Sequence, residues 1–387
     1  MRKNTFLILA VVYFMFFALG LPDGAFGVAW PIMRYEMRQP LEMAGFIVVL
    51  HSMFYSLASG LLGRFTRYLK LEKINLLGGF MMVVGFFGMA IAPSFTVLLY
   101  TVFFTGVGMG LVDSSFNSYM AKSFSSRYMN WLHCFWGFGA MVSPIIMTNA
   151  INASGWRAGY ASIATVQLVA IVVVLFSLAK GIWAREEIAQ AADEPKGGRL
   201  HKKRHQFIAI LICFVYGGIE YSIGFWSTSV MMESRGLTHA QAAMFPAVYY
   251  GFMMGGRVLV GFLANRFSDL AIIRVCLSVA VVGAGLLLFS NSIVGVALIG
   301  FGFAPFIPCF VNGTSNLFKA KLLTQLVGYE FAAVGAGVAI ISFAMGQVLS
   351  HVSLEALFPI VLGLTIVVLV LNEILEGSSS SQKTKTA

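Results

Sequence analysis

The stretch GLPDGAFG, residues 20–27, places Asp23 in the middle of a long apolar run. A second stretch, GGIEYSIG at residues 217–224, aligns with it and carries Glu220 at the position of Asp23, with matching glycines at both ends. An ionised acid at the centre of a membrane span costs roughly 2.5–3.5 kcal/mol on insertion scales. The recurrence of this costly residue in two similar stretches indicates two copies of one helical unit. In each copy the acid is expected to have a functional role that offsets its cost.

The composition around these stretches is that of a membrane protein. Hydrophobic residues make up 58% of the 387 residues, charged residues make up 11%, and the mean hydropathy is +0.83, far from the values of a soluble domain. Because one helical span needs about 20 apolar residues, cuts at charged residues, prolines and polar turns predict an all-α integral membrane protein with twelve transmembrane helices. The predicted helices are 5–30, 41–63, 74–92, 95–120, 128–151, 158–183, 205–232, 239–264, 270–290, 292–318, 323–349 and 354–376.

The only long polar segment follows the sixth predicted helix and divides the chain into two halves of six helices. A second internal match supports a duplication, since GFGA at residues 137–140 corresponds to GAGV at residues 335–338 with nearly the same shift along the chain. We therefore predict two pseudo-symmetric halves. The predicted organisation is an N-terminal six-helix half at 1–180, a cytoplasmic linker at 181–204, a C-terminal six-helix half at 205–376 and a disordered cytoplasmic tail at 377–387.

Lysine and arginine residues are distributed unevenly across the predicted topology. With the N-terminus inside, Arg257 lies within a helix, all other basic residues but four lie on the inner side, and the outer loops contain only Arg34, Arg38, Arg157 and Arg235. Basic residues mark cytoplasmic loops, so both termini are predicted in the cytoplasm, and the formal net charge of +10 is a topology signal. We expect a monomeric, multi-pass protein of the cell membrane, embedded in the lipid bilayer and without a nucleic-acid partner.

Several motifs resemble one superfamily of membrane transporters. GFLANRF at residues 261–267 resembles the loop signature after the eighth helix of the major facilitator superfamily, with Asn265 where Asp is usual. FFTGVGMGLVDSSFNSY at residues 103–119 and MNWLHCFWGFGAMVSP at residues 129–144 resemble the fourth and fifth helices of its fucose:proton symporter branch, which includes bacterial glucose/mannose:proton symporters. The resemblance spans nearly the whole chain and implies the major facilitator fold.

In that branch an acid on helix one and another on helix four serve proton coupling and sugar binding, and by position these are Asp23 and Asp113. The residues themselves agree, since an acid in a span must face a wet cavity, contact a polar partner or carry a proton. Asp113 and Asn117 are four residues apart and share a helix face, as do Tyr216 and Glu220. We predict these four in the substrate site, with structural hydrogen bonds as the alternative. The alternative for Asp23, which a proline and a glycine flank, is a capping residue near the outer end of its helix.

Helix five adds a polar stripe to the candidate site. Asn130, His133 and Gly137 follow a three-then-four spacing, with Trp136 at the edge of the stripe. Sugar hydroxyls need hydrogen-bond donors and acceptors, while the C–H face of the ring packs on an aromatic side chain. We therefore predict substrate contacts for Asn130, His133 and Trp136, with Trp226 on helix seven as a further aromatic candidate. A core histidine with satisfied hydrogen bonds is the alternative for His133.

Arg257 is the only basic residue inside a predicted span. A buried guanidinium needs a partner, and Glu330, near the inner start of helix eleven, is the predicted one. The pair would gate the inner side. The alternative is that Arg257 extends its charged end to the membrane surface.

These features predict a secondary active transporter that moves a small neutral solute, a hexose or related sugar, by alternating access coupled to protons. The main alternative is a proton-driven exporter of drugs or metabolites with the same fold. Such exporters usually carry a Gly-Pro pair in helix five, whereas here Pro144 is separated from Gly139. No nucleophile motif, metal-ligand spacing or soluble catalytic domain indicates an enzyme. We expect no metal and no cofactor, with protons as the coupling ion and sodium as the alternative ion.

Overall fold

The computed structural model describes residues 3–66, 68–124, 126–181, 203–263, 267–317 and 320–384. Within these ranges the regular structure is entirely helical, and a short 3-10 helix, Leu354–Ala356, precedes the last α-helix. The α-helices are α1 Lys3–Glu36, α2 Met43–Phe65, α3 Leu71–Ile91, α4 Phe95–Ser123, α5 Ser126–Ser154, α6 Trp156–Ala179, α7 Lys203–Glu233, α8 His239–Leu263, α9 Asp269–Phe289, α10 Ile293–Phe303, α11 Phe306–Leu317, α12 Ala320–His351 and α13 Leu357–Thr384.

The α-helices of the described residues correspond to the twelve predicted spans, with α10 and α11 together occupying the tenth. Eleven segments of the described residues are long and apolar enough to cross a membrane, and α8, which carries Arg257, is not among them. Large apolar side chains such as Phe6, Ile91 and Phe289 are exposed on the surface of the bundle, as lipid contact requires. The prediction of an all-α membrane protein with twelve spans is confirmed.

Two predicted boundaries differ from the structure. The tenth span is broken between α10 and α11 at Ala304 and Pro305, because proline lacks the N–H that a helix interior needs. At the C-terminus α13 continues to Thr384, so helix occupies most of the region predicted as a disordered tail. The predicted linker at 181–204 lies almost entirely outside the described residues.

Corresponding glycines make corresponding contacts in the two halves. α1 packs on α5 and α7 packs on α12. A Cβ atom on Gly139 would collide with the carbonyl group of Phe17, and a Cβ atom on Gly337 would collide with the carbonyl group of Phe214. Gly139 and Gly337 belong to the matched GFGA and GAGV stretches, and both phenylalanines precede the matched acids at the same spacing. The duplication that these stretches predict is therefore confirmed in the packing.

The two halves meet along pairs of long helices. α5 packs against α8, α2 against α12 and α1 against α7. We name the side of the bundle on which α1 ends the Glu36 side and the opposite side the Lys3 side. The matched acids lie on α1 and α7, where these interfaces converge near the middle of the bundle.

Candidate functional site

Asp23 lies in the interior of α1, which continues without interruption through Pro22. Pro22 cannot donate to the Ala18 carbonyl, and Gln167 Nε2 on α6 donates to that oxygen instead, at 2.6 Å. Trp136 Nε1 on α5 donates to Asp23 Oδ2 at 2.9 Å. The alternative of a capping residue near a helix end is therefore wrong, because Asp23 is bound by a side chain of another helix within the bundle.

Asp113 on α4 is held by two donors. The Tyr55 hydroxyl on α2 donates to Oδ2, and Asn117 Nδ2 donates to Oδ1 at 2.8 Å and to the Asp113 carbonyl oxygen at 3.0 Å. Asp113 is also near enough to Asp23 for the two carboxyl groups to interact electrostatically. Tyr55 is a site residue that sequence reasoning missed, because one tyrosine in an apolar helix carries no spacing signal.

Glu220 on α7 forms an ion pair with Arg257 on α8. The distance from Arg257 Nη2 to Glu220 Oε1 is 3.3 Å, and the side chains are only 15% and 17% exposed. Tyr249 adds a hydrogen bond from its hydroxyl to the Glu220 carbonyl oxygen at 2.9 Å. The predicted pair of Arg257 with Glu330 is wrong, since the guanidinium pairs with Glu220 on the adjacent helix α7 instead. Glu330 is buried on α12.

The two halves satisfy their matched acids in different ways. The glycines that begin the two matched stretches pack on the backbones of Trp136 and Val334, so these two residues occupy equivalent places. Valine has no side-chain donor. Glu220 therefore lacks the counterpart of the indole N–H that binds Asp23, and Arg257 from α8 supplies its charged partner.

Trp136 connects the acids of the two halves. Its N–H binds Asp23, and its ring lies 5.6 Å from the Arg257 guanidinium carbon. The ring also packs edge-to-face on Tyr250 of α8, with a centroid distance of 6.2 Å. A cation–π contact of this kind contributes about 0.5–2 kcal/mol. We name Asp23, Asp113, Trp136, Glu220 and Arg257 the central cluster.

His133, a further predicted residue of helix five, lies at the edge of the central cluster. His133 is part-buried, packs edge-to-face on Phe16 at 5.9 Å and lies within electrostatic range of Arg257. The backbone of Asn130 lies in α5, and its side chain lies outside the part of the chain that the structure describes. His133 therefore lies next to the central cluster, and its contact with the substrate stays a prediction.

Two predicted residues of helix seven serve packing. Trp226 is fully buried, and its Nε1 donates to the Ser342 carbonyl oxygen at 3.2 Å. Tyr216 is also fully buried, stacks on Phe306 at 4.0 Å and donates its hydroxyl to the Phe303 carbonyl oxygen at 2.7 Å. The predicted substrate contact of Trp226 is wrong, because its ring joins α7 to α12 instead of facing the cluster. Tyr216 lies one helical turn from Glu220, but its ring and its hydroxyl are bound in the core.

The halves are joined directly on the Glu36 side. Arg34 at the end of α1 forms an ion pair with Glu233 at the end of α7, with each side chain 12% exposed. Ser350 on α12 donates to Glu42 in the loop between α1 and α2 at 2.5 Å. Burial acts to raise the pKa of Glu42, but this hydrogen bond and nearby charges outweigh it and leave that pKa below its ordinary value. His239 Nε2 on α8 completes the contact with the carbonyl oxygen of α1 residue Val28 at 2.8 Å.

Each half also has its own ion pair on the Glu36 side. In the first half Arg157 pairs with Glu36 and donates to the carbonyl oxygen at the end of α3. In the second half Arg235 pairs with Glu355 at 2.6 Å and donates to carbonyl oxygens at the end of α9. In the first half the arginine is near the start of the sixth span and the acid ends the first span. In the second half the arginine follows the first span and the acid precedes the sixth, so the positive and negative partners have changed places. These pairs fix helices within a half, whereas Arg34 and Glu233 fix one half to the other.

Comparisons with known proteins agree with this architecture. The profile of the family described as Major Facilitator Superfamily matches residues 12–328. The chain is 26% identical over 271 residues to the glucose/mannose transporter GlcP of Bacillus subtilis, covering 66% of each protein. It is 23% identical over 275 residues to the cis,cis-muconate transport protein of Acinetobacter baylyi, covering 65% of this chain and 66% of that protein. The chain thus spans just under two thirds of the length of these relatives. Among solved structures, the fucose:proton symporter FucP of E. coli matches with a TM-score of 0.65 and 18% identity, over 97% of this chain and 99% of that one.

Proposed function

Because this chain belongs to the major facilitator superfamily, we propose that it moves a small neutral solute, a hexose or a related sugar, across the membrane by alternating access coupled to protons. The observation that supports this most directly is the central cluster. In it the Trp136 indole binds the acid of one half, Asp23, and contacts Arg257, which pairs with the acid of the other half, Glu220. Transporters of this architecture bind their cargo near the midplane, between repeats that move against each other.

The charge balance of the cluster favours a neutral solute over an anion. Asp23, Asp113 and Glu220 face a single base, Arg257, and that base is already paired. At an effective dielectric constant of 20, a substrate carboxylate about 8 Å from an unpaired carboxylate is opposed by about 2 kcal/mol. An organic acid, such as the muconate named for one relative, would also have to break the ion pair of Arg257.

The polar and aromatic groups of the cluster suit a sugar. Carboxylate oxygens of Asp113 and Glu220 offer acceptors for hydroxyl groups, and Trp136 offers an aromatic surface for the C–H face of a ring. His133 adds a ring nitrogen at the edge of the same region. The similarity to a protein named as a glucose/mannose transporter supports the same class of solute.

Asp23 is the proposed proton carrier because a change in its protonation alters a contact at the interface between the halves. A hydrogen bond to an ionised acceptor is about twice as strong as one between neutral groups. Protonation of Asp23 therefore weakens its bond to Trp136, whose ring contacts Arg257 and Tyr250 in the other half. One charge moving down 100 mV supplies about 2.3 kcal/mol, enough to accumulate a neutral solute roughly 50-fold.

The distribution of basic residues assigns the Lys3 side to the cytoplasm. The Glu36 side then faces outward, and the contacts that join Arg34 to Glu233 and Ser350 to Glu42 describe a carrier closed to the outside. In the alternating-access cycle these contacts break when the carrier opens outward.

Uptake in proteoliposomes tests the proposal. Labelled hexoses and cis,cis-muconate would be offered with an imposed gradient of pH, of sodium or of neither. We expect uptake of at least one hexose that requires an acidic outside and collapses when a protonophore is added. Uptake of muconate alone would show that the protein carries anions instead of sugars. Uptake driven by sodium alone would show that sodium, not the proton, is the coupling ion. Hexose movement out of preloaded vesicles alone would favour the exporter.

A further inference from the structure

The break in the tenth span lies directly beside the central cluster. Two prolines, Pro305 and Pro308, interrupt the segment that forms α10 and α11. A proline cannot donate to the carbonyl oxygen four residues earlier, so Phe301 and Ala304 lose their usual helical donors. The Ala304 N–H donates to the Phe301 carbonyl oxygen at 3.3 Å. The Ala304 carbonyl oxygen therefore needs a donor from elsewhere.

Arg257 supplies that donor. Its Nε donates to the Ala304 carbonyl oxygen at 3.2 Å, while its Nη2 pairs with Glu220 at 3.3 Å. Gly256 lets α8 approach α10 closely, because a Cβ atom there would lie 2.6 Å from the Ala304 Cβ. One guanidinium thus spans the distance from the acid on α7 to the break, through two different nitrogen atoms.

A second side chain of α7 binds the same break. The Tyr216 hydroxyl donates to the Phe303 carbonyl oxygen, and its ring stacks on Phe306 at the start of α11. Tyr216 is fully buried, and both of its contacts with the break involve uncharged groups. Arg257 differs from Tyr216 in this respect. One nitrogen of its guanidinium binds the Ala304 carbonyl oxygen, and another binds Glu220, an ionisable group of the central cluster.

We propose that Arg257 is a positioning residue that ties the state of Glu220 to the geometry of the break between α10 and α11. While Glu220 is ionised and unoccupied, it orients the guanidinium so that Nε caps the Ala304 carbonyl group. When Glu220 binds solute or a proton, the guanidinium loses this partner and the cap is released, so that α11 can pivot on α10. The role in transport rests on the proposed function, whereas the capping itself can be measured without any solute.

Cys309 on α11 provides a reporter that needs no solute. It follows Pro308 directly and is 4% exposed. With Cys134, Cys213 and Cys276 replaced by alanine, Cys309 is the single thiol of the chain, and its rate of alkylation by a membrane-permeant maleimide reports opening of the break. Arg257→Lys leaves one nitrogen, which can reach Glu220 or Ala304 but not hold both. We expect about tenfold faster alkylation, as for loss of a hydrogen bond from a charged donor.

Pro308→Ala provides the decisive second variant. It returns an N–H that can donate to the Ala304 carbonyl oxygen, since Ala304 already has α-helical backbone angles and the Pro308 side chain is exposed. In the Arg257→Lys background, Pro308→Ala should bring alkylation back to within about twofold of the parent rate. The solute uptake rate of the double variant should stay low, because the break no longer responds to Glu220.

Arg274→Lys is the matched control. Arg274 on α9 pairs with Glu373 at 2.6 Å on the surface of the same half, and we expect its substitution to leave Cys309 alkylation unchanged. If Arg257→Lys does not fold, Glu220→Gln releases the same guanidinium end and should also speed alkylation. Unchanged alkylation in the Arg257 and Glu220 variants would overturn the proposal. So would a Pro308→Ala substitution that fails to slow alkylation. A failure of hexose uptake with alkylation as expected would instead overturn the proposed function alone.

Discussion

Arg34 and Glu233 form an ion pair between the last turn of α1 and the last turn of α7, and this pair joins the two halves on the Glu36 side. The Arg34 Nε donates to Glu233 Oε1 at 3.1 Å, alongside a second bond from Nη2 to Oε2. Bidentate arginine–carboxylate pairs are stronger and more directional than single contacts. Since the partners belong to different halves, the proposed alternating access requires them to separate when this side opens.

Reversal of one charge in this pair should open the Glu36 side. Arg34→Glu places two acids together, and loss of a largely buried pair costs enough to raise the open population by at least about tenfold. Spin labels at Ile91 and Val352, each 77% exposed, would report the distance between the halves. Adding Glu233→Arg should restore most of the closed population. Restoration stays incomplete because Arg34 also attracts Glu42.

The control for this experiment is Arg157→Ala. Arg157 pairs with Glu36 inside the first half, so its loss should lower the melting temperature without changing the distance between labels. A label distance that responds to Arg157→Ala as strongly as to Arg34→Glu would contradict the distinction between the two kinds of pair.

Asp23→Asn should abolish uphill uptake and spare exchange. The asparagine amide oxygen can still accept from Trp136 Nε1, so the contact between α1 and α5 is kept while the proton site is lost. Uphill uptake would be measured with an imposed pH gradient, and exchange with equal solute on both sides of the vesicle membrane. Uphill uptake equal to that of the parent protein would show that Asp23 is not the proton carrier.

Trp136→Phe should shift the pH dependence of uptake. Phenylalanine keeps an aromatic ring near Arg257 and Tyr250 but cannot donate to Asp23. In the parent protein the hydrogen bond from Trp136 stabilises the ionised form of Asp23. In the variant the protonated carrier should therefore persist to higher pH, by about one pH unit for each 1.36 kcal/mol lost. Uptake measured across a pH series checks this. A profile that falls in amplitude without moving along the pH axis would show that Trp136 serves packing alone.

Gly139→Ala and Gly337→Ala should destabilise the protein to a similar degree. Each added Cβ meets a backbone carbonyl group, that of Phe17 or Phe214, which cannot move aside without shifting a whole helix. Overpacking of this kind costs about 1–3 kcal/mol. Gly335→Ala is the control, because a Cβ there meets no atom within 4 Å. Thermal unfolding in detergent would compare the three variants, and equal melting temperatures for all of them would refute the close approach.

The local pattern of the chain was enough to predict the spans and their duplication. Stretches of about 20 apolar residues cross a bilayer whatever lies beside them, and the cost of an acid in such a stretch made Asp23 and Glu220 candidates before any contact was known. The spacing of Asp113 and Asn117 predicted that they share one helix face, and the hydrogen bond between their side chains agrees with this. These inferences depend only on neighbours in sequence.

The partners of these residues were decided by the tertiary structure. Arg257 binds Glu220 instead of Glu330, Trp226 packs in the core, and Arg34 meets Glu233 from a helix nearly two hundred residues away. At the break, the Ala304 carbonyl group is capped by a side chain of another helix. Hydropathy and helical spacing repeat within a helix and carry no information on which faces meet. That choice follows from the packing of all the helices at once, where small residues allow close approach and unsatisfied polar groups select their donors.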